Sequence, residues 1–355
     1  MKTAYVISLN IWNNLHSPPS SSPLLPNLTS VTWIAYNGMS SFIPLIVPRQ
    51  LTTLNLYVTK PFLDRDTEST LSHFLILCPS VSHFHLSGRS SVHISTALQR
   101  WSHLLSARAG KISDAAILHL AGLPSFRKLY IRLHPTPIAA ETRKLLQSPA
   151  FCALQKLVVA CCSLPPLDAF FEMLSIAPKM LSITLKLADP TPTFSASMAH
   201  IYSACAHGAL EELRVYVVGD ISTSIDAAAF QPFCAFPNLR KFYFHSPTVQ
   251  LGDTTLLQMA KAWPHLQDLV IHRKNIPASG NITVNAFVSL LQHCPHLTSV
   301  VIAIDWSAVD QRHACPCKFL TKDSRTKCCR EQIFVPRVFD IQRVLQPSFR
   351  PLRPS

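Results

Sequence analysis

The sequence predicts an α/β solenoid in which every turn adds one strand to a parallel sheet and one helix behind it. Three observations predict it: a recurring Leu-x-x-Leu-x-Ile pattern, helical spacing of apolar side chains ahead of each copy, and a Pro between the two. The pattern is carried by Leu51-x-x-Leu54-x-Leu56, Val81-x-x-Phe84-x-Leu86, Phe126-x-x-Leu129-x-Ile131, Leu154-x-x-Leu157-x-Val159, Leu210-x-x-Leu213-x-Val215, Leu239-x-x-Phe242-x-Phe244, Leu266-x-x-Leu269-x-Ile271 and Leu297-x-x-Val300-x-Ile302.

From Phe126 onward the anchors fall at 126, 154, 181, 210, 239, 266 and 297, in steps of 27 to 31 residues. A unit of one strand and one helix in ~20–29 residues defines a leucine-rich repeat, so this chain sits at the long end of that class. The expected architecture is a horseshoe with the parallel strands on its concave face and the helices on its convex face. Upstream, Leu28 and Val31 fit an early repeat, and Leu98-x-x-Trp101-x-x-Leu104 is expected to fill the gap between Val81 and Phe126.

The helices are read from Phe74-Leu75-x-x-Cys78-Pro79, Met173-Leu174-x-x-Ala177-Pro178, Met259-Ala260-x-x-Trp263-Pro264 and Leu290-Leu291-x-x-Cys294-Pro295. Apolar residues at i, i+1 and i+4 share one helix face, and Pro disfavours the helical conformation of the residue before it, so each helix stops at the same place. Trp263 occupies a slot held elsewhere by Cys or Ala, which makes it core; Trp101 and Trp306 read either as core or as exposed anchors.

Three regions follow: residues 1–25, a linker or partial cap; residues 26–308, the repeats; and residues 309–355, a basic Cys/Pro-containing tail without the periodicity, expected to be disordered. The tail holds ten Lys/Arg against four Asp/Glu, about half of the net charge of +13. His313, Cys315, Cys317, Cys328 and Cys329 offer enough ligands for a tetrahedral zinc, but their spacing departs from Cys-x2-Cys pairs, and no metal is expected there.

With 48% hydrophobic and 14% charged residues, the chain has ample material for a core and is unlike a disordered one. No apolar run reaches the ~18–20 residues that cross a bilayer. The odd count of 11 Cys, seven of them in the repeats as small buried hydrophobes, suits the cytoplasm or nucleus. Phosphate loops, His-Glu-x-x-His and nucleophile elbows are missing from the sequence, so neither an enzyme nor a cofactor is expected.

Period-2 alternation turns every second strand residue away from the core. Those positions bring together His83, His85, Lys128, Tyr130, Arg132, Lys156, Arg214, Tyr216, Lys241 and Tyr243, a basic and aromatic stripe along the concave face. Tyr and Arg are enriched at binding hot spots, so the expected partner is a protein with an acidic segment. Nucleic acid, held by the same face and the tail, is the alternative, and an inactive fragment is a further one. A membrane is not expected.

The repeat units, above all Leu98-Gln-Arg-Trp101-Ser-His-Leu104 followed by Ile112-Ser-Asp-Ala-Ala-Ile-Leu-His-Leu-Ala-Gly-Leu-Pro-Ser125, resemble the leucine-rich-repeat half of fungal F-box proteins, as expanded in mushroom-forming basidiomycetes. The resemblance covers roughly residues 24 to 310. It implies the substrate-holding part of a ubiquitin-ligase receptor, whose F-box docks on the adaptor of a cullin. Residues 1–25 carry no F-box-like stretch, so a cullin-ligase adaptor is expected as a partner only where an F-box is supplied.

Overall fold

The computed structural model describes residues 3–5, 23–35, 42–58, 64–88, 92–146, 150–172, 174–187, 194–219, 225–246, 249–273 and 282–305. Its strands are β1 (Thr3–Tyr5), β2 (Ser30–Ala35), β3 (Thr53–Val58), β4 (His83–Gly88), β5 (Ser106–Arg108), β6 (Lys128–Arg132), β7 (Lys156–Cys161), β8 (Met180–Lys186), β9 (Glu212–Val218), β10 (Lys241–Ser246), β11 (Asp268–Arg273), β12 (Ile282–Thr283), β13 (Ser299–Val301) and β14 (Ile304–Asp305). Twelve of them make one parallel sheet in strict chain order, while β12 and β14 pair with each other. The helices are α1 (Ile43–Ile46), α2 (Asp64–Leu77), α3 (Val92–Arg100), α4 (Asp114–Gly122), α5 (Ala140–Leu146), α6 (Leu164–Phe171), α7 (Phe194–Ala204), α8 (Asp253–Ala262) and α9 (Val284–His293). The chain is a leucine-rich-repeat solenoid.

Register explains the sequence pattern. Val31, Leu54, Phe84, Ala107, Leu129, Leu157, Leu181, Leu213, Phe242, Leu269 and Val300 stand side by side across the sheet. All but Val300 are buried, so one apolar residue per turn builds a continuous column. Just before strands such as β4, β6, β7, β10 and β13, a backbone N–H donates to the preceding turn: Ser82 to Thr52, Arg127 to Leu105, Gln155 to Arg127, Arg240 to Glu211 and Thr298 to Gln267, at 2.8 to 2.9 Å. Strands lie ~4.8 Å apart while packed helices need about 8–10 Å, so the sheet bends with its strands inside.

The slot before the Pro is filled as the spacing predicts in most turns. Cys78, Trp263 and Cys294 are fully buried, and the Trp263 indole Nε1 donates to the Phe233 carbonyl of the preceding turn at 3.1 Å. Trp101 is core too, donating to the Cys78 carbonyl at 3.2 Å. Trp306 lies outside the described residues.

Two units depart from expectation. α6 ends at Phe171, ahead of the expected stop at Ala177, because Leu164-Pro165-Pro166 starts it early; Ala177 is exposed, and Ile176 takes the buried place in a parallel bridge with Cys205. Between β9 and β10 two 3-10 turns, Ala227–Ala229 and Gln231–Ala235, replace a helix, packed by Phe230, Phe233 and Phe236. The cysteines also differ from a uniformly buried set. Burial pushes the thiols of Cys78, Cys161 and Cys205 up to about 12 and that of Cys294 to about 11, whereas Cys152 and Cys162 are exposed. The tail Cys and His residues, where no metal is expected, lie outside the described residues, as does the end of the repeat region at 308.

Gly219 occupies a backbone position that admits only glycine. Gly219 leaves β9 with φ of 140°, and a Cβ there would stand 2.0 Å from the Leu187 carbonyl oxygen, part of the neighbouring strand's exit. Gly219→Ala is therefore expected to cost at least about 1–3 kcal/mol. Thermal unfolding checks this, and a melting temperature equal to that of the parent chain would contradict the backbone geometry.

Candidate partner-binding face

The open sheet face is built from the residues that alternate with the buried columns, and register sets which of them meet. Thr53, His83, Ser106, Lys128, Lys156, Met180, Glu212, Lys241 and Asp268 form its first row. Asn55, His85, Arg108, Tyr130, Val158, Ser182, Arg214, Tyr243 and Val270 form the second. Arg132 and Tyr216 stand in the third, on β6 and β9, with Ala160 and Thr184 on the strands between them. All ten residues expected from the sequence lie on this face, but they form two groups of different character rather than one stripe.

The first group spans β4 to β7. Lys128 and Lys156 are direct cross-strand neighbours, and a like-charged pair so placed is destabilising. Tyr130 sits between cations, with the Arg108 guanidinium 5.8 Å and the Lys156 ammonium 5.4 Å from its ring centre. Arg132, exposed at the end of β6, makes no ion pair among the described residues. From β2 to β8 the strands carry Arg108, Lys128, Arg132, Lys156 and Lys186 and not one Asp or Glu.

The second group, on β9 to β11, neutralises itself. The Arg214 Nε donates to the Glu212 carboxylate, and its guanidinium also stacks 4.8 Å from the Tyr243 ring centre. Burial works against that charge, and Glu212 outweighs it, raising the Arg214 pKa. Lys241 Nζ lies 3.2 Å from the Asp268 Oδ2, which also accepts the Tyr243 hydroxyl at 3.1 Å. Burial and the Asp268 carboxylate hold that phenol above its ordinary range. Tyr216 stacks on His245 with ring centres 4.9 Å apart and planes 8° from parallel. Between the groups, β8 presents Met180, Ser182 and Thr184 and no charge in the first two rows.

His83 and His85 edge the cationic group. Burial lowers both pKa values, and Lys128 lowers His83 further as Arg108 does His85. A folded-state pKa below the ordinary His value contributes stability that is whole above that value and is lost as the pH falls through it. An acidic partner laid across β4–β6 would counter the two cations and draw protons onto the imidazoles. Its binding is expected to take up protons and to tighten as the pH falls through the ordinary imidazole value towards the lowered values of the free chain. Calorimetric titration in two buffers of different ionisation enthalpy reads this directly, and a signal unchanged in a His83→Gln/His85→Gln variant would refute it.

Sequence reasoning missed Arg108 and the pairing of Arg214 and Lys241. The signal for Arg108 is present as Leu104-x-x-Ala107-x-Ala109, a repeat copy in which small residues replace the usual Leu. Also missed was a cleft of about 410 Å³ at the carboxyl end of β6, between the loops that lead into α4 and α5. Among the described residues no group of three or more His, Cys, Asp or Glu is placed to hold a metal ion. No helix among them is long and apolar enough to cross a membrane.

No family model matches the chain, and no curated protein matches it. Among solved structures it is similar to one in the crystal structure of the Rad7 and Elc1 complex in yeast, at 14% identity over 78% of this chain and 74% of that one, with a TM-score of 0.41.

Proposed function

We propose that this chain is a non-enzymatic protein-binding scaffold that holds an acidic segment of its partner across β4–β7. The observation that carries this reading is the Lys128–Lys156 pair. Two like charges side by side weaken the sheet, and five cations on β2–β8 face no carboxylate of their own strands. A surface built at that cost gains when an anion supplies what the fold omits.

The repeat units' resemblance to those of fungal F-box proteins supports a finer reading, in which the partner is the substrate of a cullin ubiquitin ligase and the adaptor binds through an F-box. The tagged chain, purified from a fungal host and analysed by mass spectrometry, should retain a reproducible partner that a Lys128→Glu/Lys156→Glu variant loses. A version carrying an F-box should in addition bring down adaptor and cullin and promote ubiquitination of that partner. A partner left unmodified by the assembled ligase would sink the finer reading alone. Retention of RNA in place of protein, falling steeply with salt, would replace the scaffold reading with a nucleic-acid one.

A further inference from the structure

The cleft at the carboxyl end of β6 is apolar inside and cationic at one lip. Ile117, Ile131, Leu133 and Ile138 form its buried walls, while Arg132 belongs both to the cleft and to the cationic face. His134 is exposed at the rim, with Nδ1 2.6 Å from the Thr136 hydroxyl. The acid in the lining, Asp114, is already engaged: its Oδ2 accepts the Ala139 N–H at 2.9 Å. The volume lies within the ~300–1,000 Å³ of ordinary ligand pockets, ample for one large side chain.

We propose that this cleft takes an apolar side chain of the bound segment, with the carboxylate next to it on Arg132. The inference rests on the acidic-partner reading and sharpens it, because Arg132 joins the two surfaces and fixes the order of groups along the ligand. A peptide extended over the sheet meets Lys128 and Lys156 through its acids and then turns one aliphatic or aromatic residue into the cleft. The adjoining carboxylate has two sources, the side chain of a neighbouring Glu or Asp or the end of a chain whose last residue is apolar.

The test is fluorescence anisotropy of labelled acidic peptides on the full chain. One peptide has Leu embedded among Glu residues, a second has Ala in its place, and a third ends in Leu with a free or an amidated terminus. Replacing Ala with Leu buries three more carbons, so the Leu peptide is expected to bind at least about tenfold more tightly. Ala139→Trp, a change at an exposed rim position, should fill the cleft and erase the Leu preference while acidic peptides still bind. Arg132→Ala should weaken the Leu peptides, and a loss on amidation would assign the carboxylate to a chain terminus. Equal affinity for Leu and Ala peptides overturns the cleft assignment and leaves the acidic-partner reading standing. No binding of any acidic peptide overturns both.

Discussion

Replacing both Lys128 and Lys156 by Glu is expected to weaken an acidic ligand about 100-fold, or ~3 kcal/mol, since close interfacial charge pairs carry about 1.5–7 kcal/mol each. The single change Lys156→Glu is the more diagnostic, because it separates binding from folding. Lys128 then faces a carboxylate in place of an ammonium, and a cross-strand pair of opposite charge stabilises by about 0.2–1 kcal/mol. That gain is offset by the loss of the Lys156 ammonium from the Tyr130 ring, so the variant should melt at about the temperature of the parent chain and yet bind less well. Lys241→Ala, which removes a cation already held by Asp268 at 3.2 Å, should leave affinity within about twofold. Titration of a Glu-rich peptide at two salt concentrations measures all three. A loss of binding free energy for Lys241→Ala about half that for Lys156→Glu, in proportion to the one and two charges removed, would mean that net charge alone governs binding and that the cationic group has no special place.

Trp263→Ala should cause the largest loss of stability in the chain. The ring is fully buried, 4.8 Å from that of Phe242, and its N–H reaches back to the Phe233 carbonyl. Removing such a ring costs about 3–5 kcal/mol, and stranding the carbonyl adds about 1–3 kcal/mol. In a solenoid the damage stays with the turns that share the ring, so β10, α8 and β11 are expected to lose protection from hydrogen exchange while β6 to β8 keep theirs. Trp263→Phe keeps most of the volume and isolates the hydrogen bond. Uniform loss of protection along the sheet would show that the chain unfolds as one unit.

These expectations also mark what a one-dimensional pattern conveys. Anchors such as Leu129, Leu157 and Leu213 are legible because burial demands the same residue type at each turn, and alternation then places Lys128 or Tyr243 on the open face without further information. β5 was harder to read, since Ala107 and Ala109 occupy the column with little hydrophobic signature. The early stop of α6 depends on where Pro165 and Pro166 begin the helix, a phase that the Pro at 178 does not reveal. Charge pairing was out of reach for another reason. Lys241 and Asp268 are 27 residues apart, and that they meet while Lys128 meets Lys156 follows only from strand register. The cleft is hidden still more deeply, because its walls come from three consecutive turns and their loops.

Strand β8, which carries no charge in the first two rows, acts as a spacer on a ruler whose smallest division is one strand. The cationic group lies before it and the self-neutralised group after it, so a partner that touches both must carry its features at a separation counted in steps of ~4.8 Å. Gain or loss of one whole turn at β8 would leave every column in register and every slot filled, yet would move the two groups by one division. Repeat number alone can thus retune which ligands fit, with no side chain on the binding face replaced.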